Sequence, residues 1–142
     1  MPPPTPIPSP LPSPLPPPLP DALLQAVCDL ARAAGDAILA HYNENSFGVR
    51  LPNKADDSPL TRADLAAHAC IEHGLSLLTP DLPRVSEEDA ASHPLRHTAP
   101  RHWLIDPLDG TREFLARNGE FTVNIALIEA DQVVWGVVHA PI

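Results

Sequence analysis

The sequence predicts an α+β fold, with helices packed on one face of a sheet. Three observations predict it. Two long stretches with helical apolar spacing come first, the β-rich stretches follow them, and the last two of those form a hairpin.

Residues 1–20 stand outside the predicted domain. Twelve of the chain's 20 prolines fall there. Proline lacks an N–H and fixes φ, so neither helix nor ladder can form, and a disordered polyproline II tail is expected. Such a tail could serve an SH3-like partner. No Arg or Lys flanks the prolines to orient docking, so a plain extension is the expected reading.

The folded region, residues 21–142, begins at Asp21, which is expected to cap the first helix. Leu23, Val27, Leu30, Ala34 and Ile38 give that helix one apolar face to about Tyr42. Asn43, Asn45 and Gly48 mark a loop, and Lys54 to Pro59 is polar and turn-rich. Thr61 and Asp64 form a Thr-x-x-Asp start signal for a second helix, whose apolar positions are Ile71, Leu75 and Leu78. Thr79-Pro80 and Leu82-Pro83 end it.

Arg84-Val85-Ser86 reads as a short strand leading into Glu87-Glu88-Asp89, and residues 90–101 as a loop. Trp103-Leu104-Ile105 reads as a buried strand that delivers Asp106 at its end. Gly110 to Arg117 is expected to form a short helix closed by Asn118-Gly119. Thr122–Glu129 and Val133–His139 flank Ala130-Asp131-Gln132 as a hairpin with a three-residue connection. The last strand is apolar almost throughout, so both of its faces want cover.

Composition narrows the function. The 142 residues carry 9 Lys+Arg against 18 Asp+Glu, a formal net charge of −9. That balance argues against a nucleic-acid polymer as partner. No apolar run approaches the ~20 residues of a membrane-crossing helix. Cys28 and Cys70 fall in helical patterns and are expected to be buried, inert thiols rather than a disulfide. A reducing cytoplasm is the expected compartment, with peripheral attachment at the inner membrane left open. The seven histidines suggest no zinc site: His68 and His73 are five apart, and no Cys lies at ligand spacing. An acidic chain would repel a phosphate ester unless a bound cation reversed the local sign.

The informative stretch is Asp106-Pro107-Leu108-Asp109-Gly110-Thr111. Pro107 bends the chain as it leaves the strand, so Asp106 and Asp109 can turn to one point. The Leu108 carbonyl can join them as an oxygen donor for a hard cation such as Mg²⁺. Gly110 removes a side chain where a substrate must approach, and the Gly110 and Thr111 N–H groups open a helix that can seat phosphate. Glu87, about twenty residues upstream, is a third carboxylate for the same ions or part of a solvated acidic loop.

Trp103 to Thr111 resembles the first signature of the inositol monophosphatase superfamily. Arg112-Glu113-Phe114 and the run Arg117 to Ile128 are similar to its bacterial 3'(2'),5'-bisphosphate nucleotidases of the CysQ type. Members acting on inositol phosphates more often carry Thr-Asn in place of Arg112-Glu113. The resemblance reaches upstream to Asp57–Asp64 and Val85–Asp89 and covers about residues 22–142.

It implies a layered sandwich of the inositol monophosphatase/fructose-bisphosphatase type, with helices on a mainly antiparallel sheet. It implies Glu87, Asp106, Asp109 and the Leu108 carbonyl as ligands of two or more Mg²⁺ ions. Asp64 and Thr111 match the pair that orients and deprotonates the attacking water, and Glu87 counts with them as catalytic. Glu87 and Leu108 to Thr111 match the substrate-phosphate site. The implied reaction is hydrolysis of adenosine 3',5'-bisphosphate to AMP, linked to sulfate assimilation and sensitive to lithium. An inositol or other sugar-phosphate phosphatase, and an inactive metal-binding fragment, are the alternatives. Family members continue for about as long again and carry a second signature, Trp-Asp-x-x-Ala. Here Leu104 follows Trp103 and Gly136 follows Trp135, so the chain is expected to correspond to an N-terminal half.

Overall fold

A computed structural model of the chain describes residues 1–7, 18–42 and 61–142. The expected loop at Asn43 to Gly48, the polar stretch Lys54 to Pro59 and the middle of the proline tail lie outside the described residues. The elements in chain order are α1 (Asp21–Tyr42), α2 (Arg62–Leu78), β1 (Arg84–Ser86), a 3-10 turn (Ala90–Ser92) and α3 (Leu95–Thr98). They continue with β2 (Arg101–Asp109), α4 (Thr111–Ala116), β3 (Thr122–Glu129) and β4 (Gln132–His139).

Residues 1–7 are exposed and form neither helix nor strand. Packing begins at Leu19, which rests against the core. The Pro20 carbonyl accepts from the N–H groups of Leu23 and Leu24. Pro20 therefore holds the cap position, and Asp21 is the first helical residue. There its charge faces the positive end of the helix rather than capping it. The face read from spacing is the buried one: Val27, Ala31, Ala34 and Ile38 are fully buried, with Leu30 partly so.

At the start of α2 the Thr61 side chain accepts from the Asp64 N–H, and the Asp64 side chain accepts from the Thr61 N–H. This complete capping box fixes where the helix begins. Ala67, Ile71 and Leu75 carry the buried face, and Gly74 lets the Leu30 side chain of α1 lie against the α2 backbone.

The four strands form one sheet in the order β1-β2-β3-β4. β1 and β2 are parallel, and the other two pairings are antiparallel. α1 and α2 cover one face, meeting Trp103, Ile105, Val123, Ile125 and Leu127. Trp103 meets Trp135 edge-on, with ring centroids 6.2 Å apart. The Trp103 indole N–H donates to Thr79 Oγ1 at 2.9 Å, which ties the end of α2 to the sheet.

The other face is apolar and open. Leu104 is 40% exposed there, and the edge strand β4 shows Val133 at 67% and Val138 at 71%. That agrees with a last strand that wants cover on both sides.

Four expectations need correction. Residues 90–101 are not plain loop: the 3-10 turn and α3 occupy them, and β2 starts at Arg101. β2 is longer than Trp103–Ile105 because nine residues, Arg101–Asp109, follow the β3 edge. The hairpin connection has two residues, since Gln132 pairs with Glu129. Ala130 and Asp131 both adopt positive φ (48° and 63°), the backbone that matches strand twist in a two-residue turn. Cys28 and Cys70 are free but only half-buried. Burial, with a smaller contribution from the Asp36 charge, raises the Cys70 thiol pKa above its ordinary value.

Two stability predictions follow from these contacts. Thr79→Val removes the acceptor of a buried indole N–H and should cost about 1–3 kcal/mol in chemical denaturation; an unchanged midpoint would contradict it. Gly110 has φ +94°, and a Cβ there would stand 2.9 Å from the Glu120 carbonyl oxygen. Gly110→Ala should therefore lower stability by at least about 1–2 kcal/mol, the cost of the left-handed backbone alone; a variant as stable as the parent would show that the turn adapts.

Candidate active site

The site grows from the ends of four elements: the start of α2, the end of β1, the end of β2 and the start of α4. α2 delivers Asp64 in its first turn. The carboxylate is fully buried. Oδ2 accepts from the Thr61 N–H at 2.9 Å and from the Thr61 hydroxyl, while Oδ1 accepts from Thr111 Oγ1 at 3.0 Å. The two oxygens thus divide their work, one holding the helix start and one reaching 47 residues along the chain to α4. Capping and pairing are compatible, because a carboxylate has lone pairs for both.

Thr111 is buried. Its hydroxyl also approaches the Leu108 carbonyl at 3.5 Å, the outer limit of a hydrogen bond. Phe114 packs edge-on against Phe121 at 5.4 Å between centroids and pins α4 to the core. Gly110 is required by the backbone as well as by access. Its positive φ starts α4, and a side chain would strike Glu120.

The acids follow from strand register. β1 pairs with β2 as Val85↔Leu104 and Ser86↔Ile105, and the Glu87 N–H donates to the Ile105 carbonyl at 3.0 Å. One further step of the same ladder sets Glu87 beside Asp106. Asp106 in turn pairs with Asn124 of β3. Glu87, Asp106 and Asn124 line one cavity of about 480 Å³ on the sheet face away from the helices, together with His93 and Arg96.

Asp109 joins that face through a bulge. Between the pairs Asp106↔Asn124 and Asp109↔Thr122, β2 carries Pro107 and Leu108 opposite the single residue Val123. Residues three apart on a regular strand point to opposite faces, and one extra residue restores them to the same face. Leu108 is buried as a result, and Asn124 Nδ2 donates to Asp109 Oδ2 at 3.4 Å. Pro107, which has no N–H to contribute, occupies the bulge where a ladder bond is lost.

The three acids therefore share a face without meeting at a point. Among the described residues no three His, Cys, Asp or Glu side chains lie close enough together to hold an ion. Carboxylates brought to one spot repel one another unless a cation lies between them. The donor set nevertheless fits a hard cation. Three carboxylates and the Leu108 carbonyl are all oxygen donors, and Glu87 and Asp106 already open on one cavity.

Two participants had no assigned role in the sequence reading. Asn124 contacts Asp109 and Thr122; its signal was a polar residue alternating with Val123 and Ile125 in an apolar strand. His68, read only as a non-ligand, bonds Ser86 at 2.8 Å. It stands one helical turn after Asp64, on the same face of α2.

Comparison with known proteins matches residues 19–142 to the inositol monophosphatase family. The 3'(2'),5'-bisphosphate nucleotidase CysQ of Salmonella typhimurium is 55% identical over 120 residues, which covers 84% of this chain and 48% of that protein. The CysQ of Escherichia coli (strain K12) is 53% identical, with the same coverage. Among solved structures, CysQ from Bacteroides thetaiotaomicron aligns with a TM-score of 0.69 at 41% identity, over 85% of this chain and 42% of that one. The extragenic suppressor protein suhB from Bartonella henselae aligns at 0.73 and 26% identity, over 84% and 45%. The chain spans about half the length of the curated relatives it matches. Among the described residues no helix is long and apolar enough to cross a membrane. The chain belongs to the inositol monophosphatase family.

Proposed function

We propose that this chain carries the N-terminal half of a Mg²⁺-dependent 3'(2'),5'-bisphosphate nucleotidase that converts adenosine 3',5'-bisphosphate to AMP and phosphate in the cytoplasm. The observation that carries the reading is the buried Asp64–Thr111 hydrogen bond, set beside a bulge that turns Asp106 and Asp109 to one face. Identity of 55% with a CysQ over 120 residues supports the same substrate class.

Mg²⁺, held by Glu87, Asp106, Asp109 and the Leu108 carbonyl, would supply Lewis-acid charge that offsets the phosphate dianion and activates water. The chain's own residues do the rest. Thr111 donates its hydroxyl hydrogen to Asp64 Oδ1, which leaves its oxygen lone pairs to accept from the attacking water. As the new phosphorus–oxygen bond forms, the water proton passes to Thr111 Oγ1 and the Thr111 proton to Asp64. The bond from phosphorus to the ribose 3'-oxygen breaks, that oxygen takes up a proton from solvent water to become the hydroxyl of AMP, and Asp64 returns its proton to solvent through Thr111, which restores the site. Asp64 suits the task because Thr61 fixes its other oxygen, so the carboxylate is oriented before substrate arrives. The Leu108–Thr111 loop, with Glu87, would seat the phosphate.

The test is phosphate release from adenosine 3',5'-bisphosphate with Mg²⁺, by this chain alone and by this chain joined to the C-terminal half of a CysQ relative. Activity of the joined form on the bisphosphate in preference to inositol 1-phosphate is expected. Preference for inositol 1-phosphate would favour a sugar-phosphate phosphatase, and Mg²⁺ binding without turnover an inactive metal-binding fragment. In the joined form, Asp106→Asn or Asp109→Asn should abolish turnover; retained turnover would refute the ligand assignment. Thr111→Val should lower kcat about 100-fold or more with little change in KM, as expected for lost proton transfer. A rise in KM alone would make Thr111 a binding residue instead.

A further inference from the structure

The residue before Glu87 is held more completely than a strand end requires. Ser86 is 1% exposed, and each of its polar atoms is engaged. Its N–H donates to Ser92 Oγ at 3.0 Å. Its carbonyl accepts from His93 Nε2 at 2.9 Å and from the Asp89 N–H at 3.1 Å. Its hydroxyl oxygen accepts from the Glu88 N–H at 3.3 Å and lies 2.8 Å from His68 Nδ1.

Ser92 Oγ receives the Ser86 N–H and gives its own hydrogen to the Asp89 carbonyl at 2.6 Å. Among the described residues the side chain that the Ser86 hydroxyl meets is His68, through Nδ1.

We propose that His68 is a positioning residue: through its hydrogen bond with the Ser86 hydroxyl it locks the end of β1 and sets Glu87 against Asp106. This rests on the reading of Glu87 and Asp106 as Mg²⁺ ligands. The bond spans 18 residues and joins the buried face of α2 to β1, where Ser86 points toward the helices and Glu87 toward the opposite cavity. The adjacent bond from the Glu87 N–H to the Ile105 carbonyl then couples that anchor to the residue before Asp106. α2 thus orients two parts of the site from one face, Thr111 through Asp64 and Glu87 through His68. Partners of metal ligands act in this way: they hold a ligand in place before the ion binds. Arg84 and Glu72, paired at 2.7 Å, add a second link between β1 and α2, but one that lies on the far side of Ser86 from the acid.

The experiment measures Mg²⁺ binding by isothermal titration on the full chain, for the parent, His68→Ala, His68→Asn and Glu87→Gln. Backbone hydrogen exchange is followed in parallel. Asn retains a hydrogen-bonding group near the Nδ1 position. His68→Ala should weaken Mg²⁺ binding about 10-fold, the low end for loss of a ligand's partner, and His68→Asn should recover most of it. Exchange should rise in residues 85–89 of His68→Ala and stay unchanged in residues 123–128, which separates local release from unfolding. Mg²⁺ binding that is lost in Glu87→Gln but unchanged in His68→Ala overturns the positioning role alone. Exchange that rises equally in both segments also overturns it, since His68 would then serve only general stability. A parent chain that binds no Mg²⁺ overturns the ligand reading and the positioning role together.

Discussion

A buried carboxylate is the constraint on which the site depends. Asp64 is removed from water, and an ionised group in that position is tolerated only when its oxygens are hydrogen-bonded. Thr61 and Thr111 supply those bonds from two directions. The first fixes the start of α2. The second brings the start of α4, and with it the bulged end of β2, against that helix. Stability and chemistry share one group here, because the hydrogen bonds that make burial tolerable also give Thr111 its orientation.

The sheet completes the arrangement by parity. β1 and β2 run parallel, so their C-terminal ends lie together and Glu87 follows the ladder to a place beside Asp106. The bulge at Pro107-Leu108 changes the count by one residue, which turns Asp109 to the Asp106 face and sends Leu108 into the core. The side toward the helices supplies anchoring through Asp64 and His68. The side away from them carries the acids, with Glu87 and Asp106 in a cavity whose lining includes Val85, Leu104, Val133 and Val138 beside His93 and Arg96. Acids set among exposed apolar side chains mark the face where a substrate's charge and further burial both find partners.

The helices α1, α2 and α4, all four strands and the acidic motif are legible in the sequence, since each has a local signal; α3, four residues long, is too short to show a helical period. Val27, Ala34 and Ile38 repeat at the helical period, and Thr61 and Asp64 spell a helix start. The errors also have local causes. Gln132 reads as part of the turn because nothing in Ala130-Asp131 advertises positive φ as Asn-Gly would. Asp106-Pro107 reads as the end of β2 because proline usually leaves a sheet, whereas here it sits in a bulge. His68 gave no signal, since its partner Ser86 lies 18 residues away on another element.

The sequence by itself determined the α+β order, the apolar faces and the identities of the acids, because periodicity, capping and motif spacing are properties of near neighbours along the chain. Tertiary structure alone decided which face each acid takes, that Asp64 meets Thr111, and that His68 reaches Ser86. Those outcomes depend on strand register, on one extra residue in a ladder and on the docking of α2 against the sheet. Each joins residues far apart in the chain, and no local preference encodes such a meeting.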